Sequence, residues 1–584
     1  MAILLCRFFL THMSMCTFLP DITDGKDGRC FNTRTDMEIA RDKNKFTLLA
    51  VMLLCLIAFF FNNEALTPDV MEARNIVTAR EMVSDGNWLV PTMNGDLSLD
   101  KPPLPIWIAA VIETACPGSL SAQRCASAVM ATLWVLVMYL FAYELSRRKD
   151  YALLVVSVFV TVYQVVYMGR TATWDIYCHS FMMWAIYFLW RGFYDECYYS
   201  TSHSARWFTL AGIMMGLSFM SKGPVSFYAL LLPFLVMALW HRRPDMSGKW
   251  KHFAIMIALC VAISSWWYVY LYLSHPAETT CVLQREITAW GSHNVRPWYY
   301  YWRFFSETGV WALFLLAAFA VPFWIRKVPQ RHVYVISLAW TIASLLLLSL
   351  VPEKKMRYLL PMMAPCSMTI ACLLLSYFYD NRSRAKKMLF RLNGGIVSLV
   401  AIGIPLAVLF TSLRDVVSAW HLVVACTVLP VLGILTAVAT WRIDMKNFVY
   451  AALLIFAVAE TVLLANIGRA LGNPQMHSLN VLAADPELKT MEAYHVEGSE
   501  PRIELVYAMG KKILPIDLAD STDVVRRLPF IVVCKENECD ELTASLPKYL
   551  EARDLGLFDE NRQKKGTKHY RQSLVCRVFV VSGK

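Results

Sequence analysis

Charge is scarce in this chain. Only 17% of its 584 residues are Asp, Glu, Lys or Arg, where soluble proteins carry about 25%, and the shortfall excludes an ordinary water-soluble fold. Sixteen cysteines are present, but they are scattered through apolar runs as small hydrophobes and form no closely spaced Cys/His set for zinc. Glycine-rich phosphate loops are missing too, and the Gly510-Lys511-Lys512 run is no substitute, so nothing points to a bound nucleotide. No internal repeat is visible, which speaks against the architecture common among secondary transporters.

In place of charge there is apolar surface. Hydrophobic residues make up 57% and aromatics 13%, with 19 Trp and 26 Tyr, as expected of a polytopic membrane protein with many water interfaces. The net charge of +11 sits in short clusters between apolar segments, the placement of the positive-inside rule rather than of a nucleic-acid surface.

A span needs about 20 mostly apolar residues. That criterion predicts a mostly α transmembrane bundle of about thirteen spans, near 46–62, 123–145, 150–168, 177–194, 206–221, 224–240, 253–274, 308–326, 332–350, 359–379, 394–412, 419–441 and 447–467. Basic clusters at Arg147–Lys149, Arg242–Lys251, Arg326–Arg331, Arg382–Lys387 and Arg442–Lys446 place every second loop in the cytoplasm. The loops 62–122, 169–176 and 275–307, and everything after about residue 468, then lie outside. Residues 1–45, interrupted by Arg7 and His12, read as a cytoplasmic segment or a start codon placed too early, not as a cleaved leader.

Three regions result: 1–45; a transmembrane domain over 46–467; and a small extracytoplasmic α/β domain over 468–584. In the last, RIELVYAMGKKILPIDL, LPFIVVCK and SLVCRVFVV read as strands and DELTASLPKYLEARDLG as an amphipathic helix. Cys534 with Cys539, and Cys116 with Cys125, are either disulfide pairs, if they face an oxidising compartment, or free thiols.

The stretch from Thr67 to Trp107 carries Asp69, Glu72, Arg74, Arg80, Glu81, Asp100 and Lys101. Connections usually run to roughly 4–6 residues and long ones tend to be functional, so this loop is read as the working part of a membrane enzyme. Asp69-Val70-Met71-Glu72 fits a capping box, with Asp69 taking the N3 amide and Glu72 returning to the cap amide. The same carboxylates also suit a general base for an acceptor hydroxyl, one acid serving as cap and base at different times but not together. Asp100-Lys101-Pro102-Pro103 is either a polar stop at a membrane entry or a rigid mount for a phosphate-binding lysine.

Asp175 is either the N-cap of the next helix or a second outer carboxylate, with His179 one turn on. Lys222, between a span and Gly223-Pro224, either snorkels or holds a lipid-borne phosphate. VPEKKMRYLLP packs Glu353, Lys354, Lys355 and Arg357 into an outer loop, against the topological bias, and suits an anionic ligand such as a lipid phosphate.

Taken in order, EARNIVTAREMVSDGNWLVPTMNG, DKPPLPIW, Arg124 in SAQRCASAV, Asp175, FMSKGP and EKKMRYLLP resemble the family of lipid-A aminoarabinose transferases and protein O-mannosyltransferases, polytopic glycosyltransferases of the GT-C type. The resemblance covers roughly residues 46–375. It implies a sugar passed from a polyprenyl-phosphate carrier to lipid A, protein or another glycan on the outer side of the plasma membrane, with no nucleic acid involved. It requires no cofactor, and a divalent metal is compatible but not implied. The family's first outer loop begins Asp-Glu with Arg one residue later; here Met71 stands at the Asp position while Glu72 and Arg74 match, so either Asp69 or Glu72 takes over, or activity is altered or lost. Catalytic roles are thus expected of Glu72, Asp69 and Asp175, and donor or substrate binding of Arg74, Asp100, Lys101, Lys222, Lys354, Lys355, Arg357 and Tyr358. The competing readings are a flippase for a lipid-linked sugar and an inactive member of the family.

Overall fold

The computed structural model describes residues 49–194, 201–292, 294–380, 382–411, 414, 417–464, 466, 472–473, 475–518, 520–539 and 549–583. The chain divides into two compact units, Met1–Val51 and Met52–Lys584. Of the first, only the helical residues 49–51 are described, so the segment 1–45 lies outside the described residues.

In the second unit a π-helical turn at Leu56–Phe60 is followed by the polar loop and helix α1 (Val70–Asp85), a two-strand hairpin (β1, Thr92–Met93; β2, Asp96–Leu97) and helix α2 (Leu104–Ala115). Asp69 starts α1 and Gly86, at φ 73°, ends it, the left-handed stop that glycine adopts at least cost. Pro103 precedes α2 and Pro105 lies in its first turn, where a missing N–H does no harm.

The helices that follow are α3 (Leu120–Ser146), α4 (Lys149–Val160), α5 (Tyr163–Gly169), α6 (Trp174–Tyr194), α7 (Thr201–Lys222), α8 (Trp250–Ser274) and α9 (Pro276–Ser292). After them come α10 (Arg331–Leu350), α11 (Met363–Tyr379), α12 (Arg384–Leu409), α13 (Ala419–Arg442) and α14 (Met445–Val458). Among the described residues, seven helices are long and apolar enough to cross a membrane, eight if the bent pair α4–α5 is one span. The other predicted spans hold shorter or more polar helices.

Two expected spans are not straight. The one at 150–168 bends by 65° between α4 and α5, where the Trp311 indole donates to the Thr161 hydroxyl; neither Pro nor Gly marks the break. The one at 308–326 is a 3₁₀ segment, Phe304–Trp311, with short helices at Ala312–Ala318 and Val321–Trp324. Elsewhere small residues allow close packing. A Cβ on Gly212 of α7 would come within 2.4 Å of the Met256 carbonyl of α8, and one on Gly216 within 2.6 Å of Ile263, the small-xxx-small spacing that lets backbones approach in lipid.

The C-terminal part holds a five-stranded mixed sheet in the order β4-β3-β5-β7-β6 (β3, Ala493–Val496; β4, Ile513–Ile516; β5, Phe530–Lys535; β6, Leu550–Asp559; β7, Val575–Gly583). β5 and β7 form where expected. RIELVYAMGKKILPIDL does not give one strand: Ile503–Met509 is helix α15, ended by Gly510 at φ 79°, and only Ile513–Ile516 is strand. Its apolar residues Leu505, Val506 and Met509 have helical spacing that the β-branched neighbours mask. The expected helix DELTASLPKYLEARDLG is also corrected: residues 550–556 lie in β6, paired with β7, and 540–548 lie outside the described residues. Along β5, Ile531 and Val533 enter one core cluster while Phe530, Val532 and Cys534 enter the other, as a period of two requires. The first cluster also contains Val77 of α1, so the outer loop and the sheet share a core. Every cysteine in the expected pairs is a free thiol, although Cys534 and Cys539 bring their sulphurs together.

Candidate active site

The first site element is the start of α1. Asp69 accepts the Met71 and Glu72 amides, each at 2.9 Å and both on Oδ1, and no hydrogen bond falls on Oδ2 among the described residues. Capping and proton acceptance are therefore not exclusive, because they use different oxygens. The reciprocal half of the capping box does not form. Glu72 turns inward instead, taking Arg124 Nε and Nη2 on its two oxygens, both at 2.7 Å, and the Ala172 amide at 2.9 Å. Arg124 spends Nη1 on the Asn63 and Leu66 carbonyls. Both side chains are 1% exposed, so Glu72 is a clamp between the outer loop, α3 and the turn before α6, closed to substrate. Met71 packs toward Ala79, Ile106 and Trp174.

The second element joins the ends of α6 and α7. Asp175, in the first turn of α6, pairs with Lys222 at the end of α7. Lys222 Nζ also lies 5.4 Å from the centre of the Tyr358 ring, over which Lys355 and Arg357 sit at 5.8 and 5.9 Å. The Tyr358 hydroxyl donates to Glu353 at 3.0 Å, and Lys355 donates to the same carboxylate oxygen at 2.6 Å. Arg357 acts electrostatically on both Asp175 and Asp69, and its Nε is buried without a hydrogen-bond partner. The structure thus brings Asp175, Lys222, Lys355, Arg357 and Tyr358 together, with Asp69 within electrostatic reach of Arg357.

The remaining expected residues are placed differently. Lys354 is 3% exposed, and its ammonium donates to the Arg296 and Val351 carbonyls, fastening two loops that also pair at Val295 and Glu353. It is a structural tie, not a free cation for phosphate. Burial also pushes its ammonium below the usual lysine range. Asp100 pairs with Arg74 at 2.8 Å, and Lys101 with Glu286 of α9 at 3.5 Å. Burial pushes the Asp100 carboxyl upward, but the charges of Arg74, Lys101 and Arg285 prevail and hold it below the usual carboxylate range. Leu99 packs with Met220, Trp267 and Leu271, which seats this rim beside α7 and α8.

Three arginines carry weight beyond the expected site residues. Arg124 and Arg170 were readable as charges within apolar surroundings, which are rarely idle. Arg170 caps the carbonyls of Ile57, Ala58 and Phe61 that the π turn leaves free, and pairs with Glu460 at 2.7 Å. Arg562, after β6, gave no signal; its leading charge partner is Asp69, followed by Tyr167 and Glu72. Among the described residues no three His, Cys, Asp or Glu side chains gather to hold a metal ion.

A family model described as dolichyl-phosphate-mannose-protein mannosyltransferase matches residues 45–279. Relatives include the undecaprenyl phosphate-alpha-4-amino-4-deoxy-L-arabinose arabinosyl transferase of Shewanella sediminis, 26% identical over 66% of this chain and 71% of its own length. The protein of the same description from Pseudomonas savastanoi is 27% identical over 67% and 72%. Among solved structures, ArnT from Cupriavidus metallidurans bound to undecaprenyl phosphate superposes with a TM-score of 0.67 at 15% identity, over 93% of this chain and all of that one; this likeness shows the fold.

Proposed function

We propose, from the premise that the chain belongs to the GT-C glycosyltransferases grouping aminoarabinose and O-mannosyl transfer, that Asp69 and the Asp175–Lys222–Arg357–Tyr358 cluster are the catalytic and donor sites of this enzyme. The enzyme is a multi-pass inner-membrane glycosyltransferase that moves a sugar from a polyprenyl-phosphate carrier to lipid A, protein or another glycan. The observation that carries the site assignment is the gathering of Asp175, Lys222 and Arg357 around Tyr358, with Arg357 acting also on Asp69, whose second carboxylate oxygen takes no hydrogen bond among the described residues.

The carrier phosphate approaches from the bilayer to the ends of α7 and of the span Met356–Tyr379, and meets Arg357, Lys355 and Lys222. Asp69 Oδ2 takes the proton from the acceptor, whose oxygen bonds to the anomeric carbon as the bond from that carbon to the phosphate oxygen breaks. The electron pair leaves on the phosphate, where preorganised cations are worth most. Asp175 holds the Lys222 ammonium in place, and Arg74, Asp100 and Lys101 form the rim. In this reading the outer loop and the C-terminal sheet face away from the cytoplasm; cysteine-directed labelling of intact cells at Thr567→Cys tests that, labelling only after lysis refuting it.

The test of function is transfer of radiolabelled sugar from a polyprenyl-phosphate donor by purified protein in detergent, with no sealed compartment. Transfer is expected, and is lost in Asp69→Asn. Movement of lipid across proteoliposomes without transfer identifies a flippase instead.

A further inference from the structure

The segment after β6 delivers one side chain that the reaction outlined above does not use. Its base is rigid: Asn561 is 1% exposed, donates to Asp559 and the Arg571 carbonyl, and accepts the Arg571 amide, each at 2.8 Å. The next residue is Arg562, whose Nη2 is buried with no hydrogen-bond partner. A guanidinium offers five donors, and leaving one buried and unspent is costly unless a ligand takes it.

The sheet domain is also fixed to α1, so Arg562 has a defined place. The Asn94 side chain donates to the Ile513 carbonyl at 2.9 Å and accepts the Ile513 amide at 2.8 Å. Arg80 donates to the Tyr507 carbonyl, Lys512 pairs with Asp85, and Val77 enters the sheet's core.

Cations outnumber carboxylates around the start of α1. Glu72 is matched by Arg124 and Asp175 by Lys222; of the two arginines that remain, Arg357 acts on Asp175 and Asp69, and Arg562 on Asp69 and Glu72, so these three carboxylates face four cations. Arg357 lies at the start of the span Met356–Tyr379, where a lipid-borne phosphate arrives. Arg562 comes from the sheet domain. Building on the proposed transferase, we propose that Arg562 binds an oxyanion carried by the sugar acceptor, a phosphate or carboxylate, and thereby sets the acceptor's reacting oxygen against Asp69.

The experiment uses the full chain in detergent, with Arg562→Gln and Arg562→Lys beside the wild type and with lipid A and its dephosphorylated form as acceptors. Should lipid A not be labelled, the comparison runs on envelope protein before and after methyl esterification of its carboxylates. Arg562→Gln is expected to raise KM for the anionic acceptor at least tenfold with donor KM within twofold, to leave the neutralised acceptor unaffected, and to be largely rescued in Arg562→Lys. An unchanged acceptor KM, a rise in donor KM instead, or equal loss on both forms of the acceptor overturns the proposal. Failure of the wild type to label any acceptor sinks the transferase reading itself, and does so whatever stands at position 562. Thermal unfolding of each variant shows that the protein remains folded.

Discussion

Glu72 and Asp69 lie three residues apart, and in the proposed reaction they do opposite kinds of work, which two substitutions separate. Glu72→Gln keeps the shape but removes the charge opposite Arg124, whose guanidinium is 1% exposed and otherwise meets only carbonyls. Breaking a buried pair by removing one partner costs about 3–5 kcal/mol, because the other charge stays buried. Asn caps a helix about as well as Asp, so Asp69→Asn keeps the cap while removing the proposed general base, which would contribute roughly 10²–10⁴-fold. Thermal unfolding in detergent and sugar transfer are measured on the same preparations. Glu72→Gln should unfold well below the wild type, and Asp69→Asn should unfold closer to the wild type but transfer roughly 10²–10⁴-fold more slowly. A Glu72→Gln protein as stable as the wild type and inactive, beside an active Asp69→Asn, refutes the reasoning and makes Glu72 the base.

Lys222→Met should lower both stability and turnover by stranding Asp175, and the double variant with Asp175→Asn should recover the unfolding temperature without the activity. Arg357→Ala should raise donor KM about tenfold or more, since a hydrogen bond to a charged group is worth about 1.5–3 kcal/mol; an unchanged donor KM removes it from the phosphate site. Asp100 has its carboxyl held down in the folded protein, so its contribution to stability is complete above the ordinary carboxylate value of about 3.9 and is lost as pH falls through its lower folded value. Acid unfolding followed by intrinsic fluorescence should therefore lose part of its slope below about pH 4 in Asp100→Asn, and an unaltered acid limb contradicts the pairing with Arg74.

Much of the proposed site was legible because ionisable residues within apolar surroundings are few and costly. Asp69 and Asp175 stood at helix starts, Lys222 beside Gly223 and Pro224, and Arg357 and Tyr358 in a run of charges at a span end. What periodicity does not carry is the commitment of a charge. Lys354 and Lys355 look alike in sequence, yet one is spent on two carbonyls and the other keeps a carboxylate partner at the site. Glu72 could be seen as part of a motif but not as Arg124's partner, because that pairing spans two distant segments. The break after α4 has no proline or glycine to announce it, and Arg562 lies in a polar stretch where one more arginine is unremarked. In the C-terminal part, α15 reads as strand in the sequence because its β-branched and aromatic residues fit either period.

The shared core of α1 and the sheet has a consequence for exchange between relatives. A chimera that imports a foreign C-terminal domain would set new side chains against Val77, Arg80, Asp85 and Asn94, whose present complements are Tyr507, Lys512 and Ile513. The transplantable module is therefore discontinuous, made of the first outer segment and the last hundred or so residues, and the two stretches should be co-inherited as one piece.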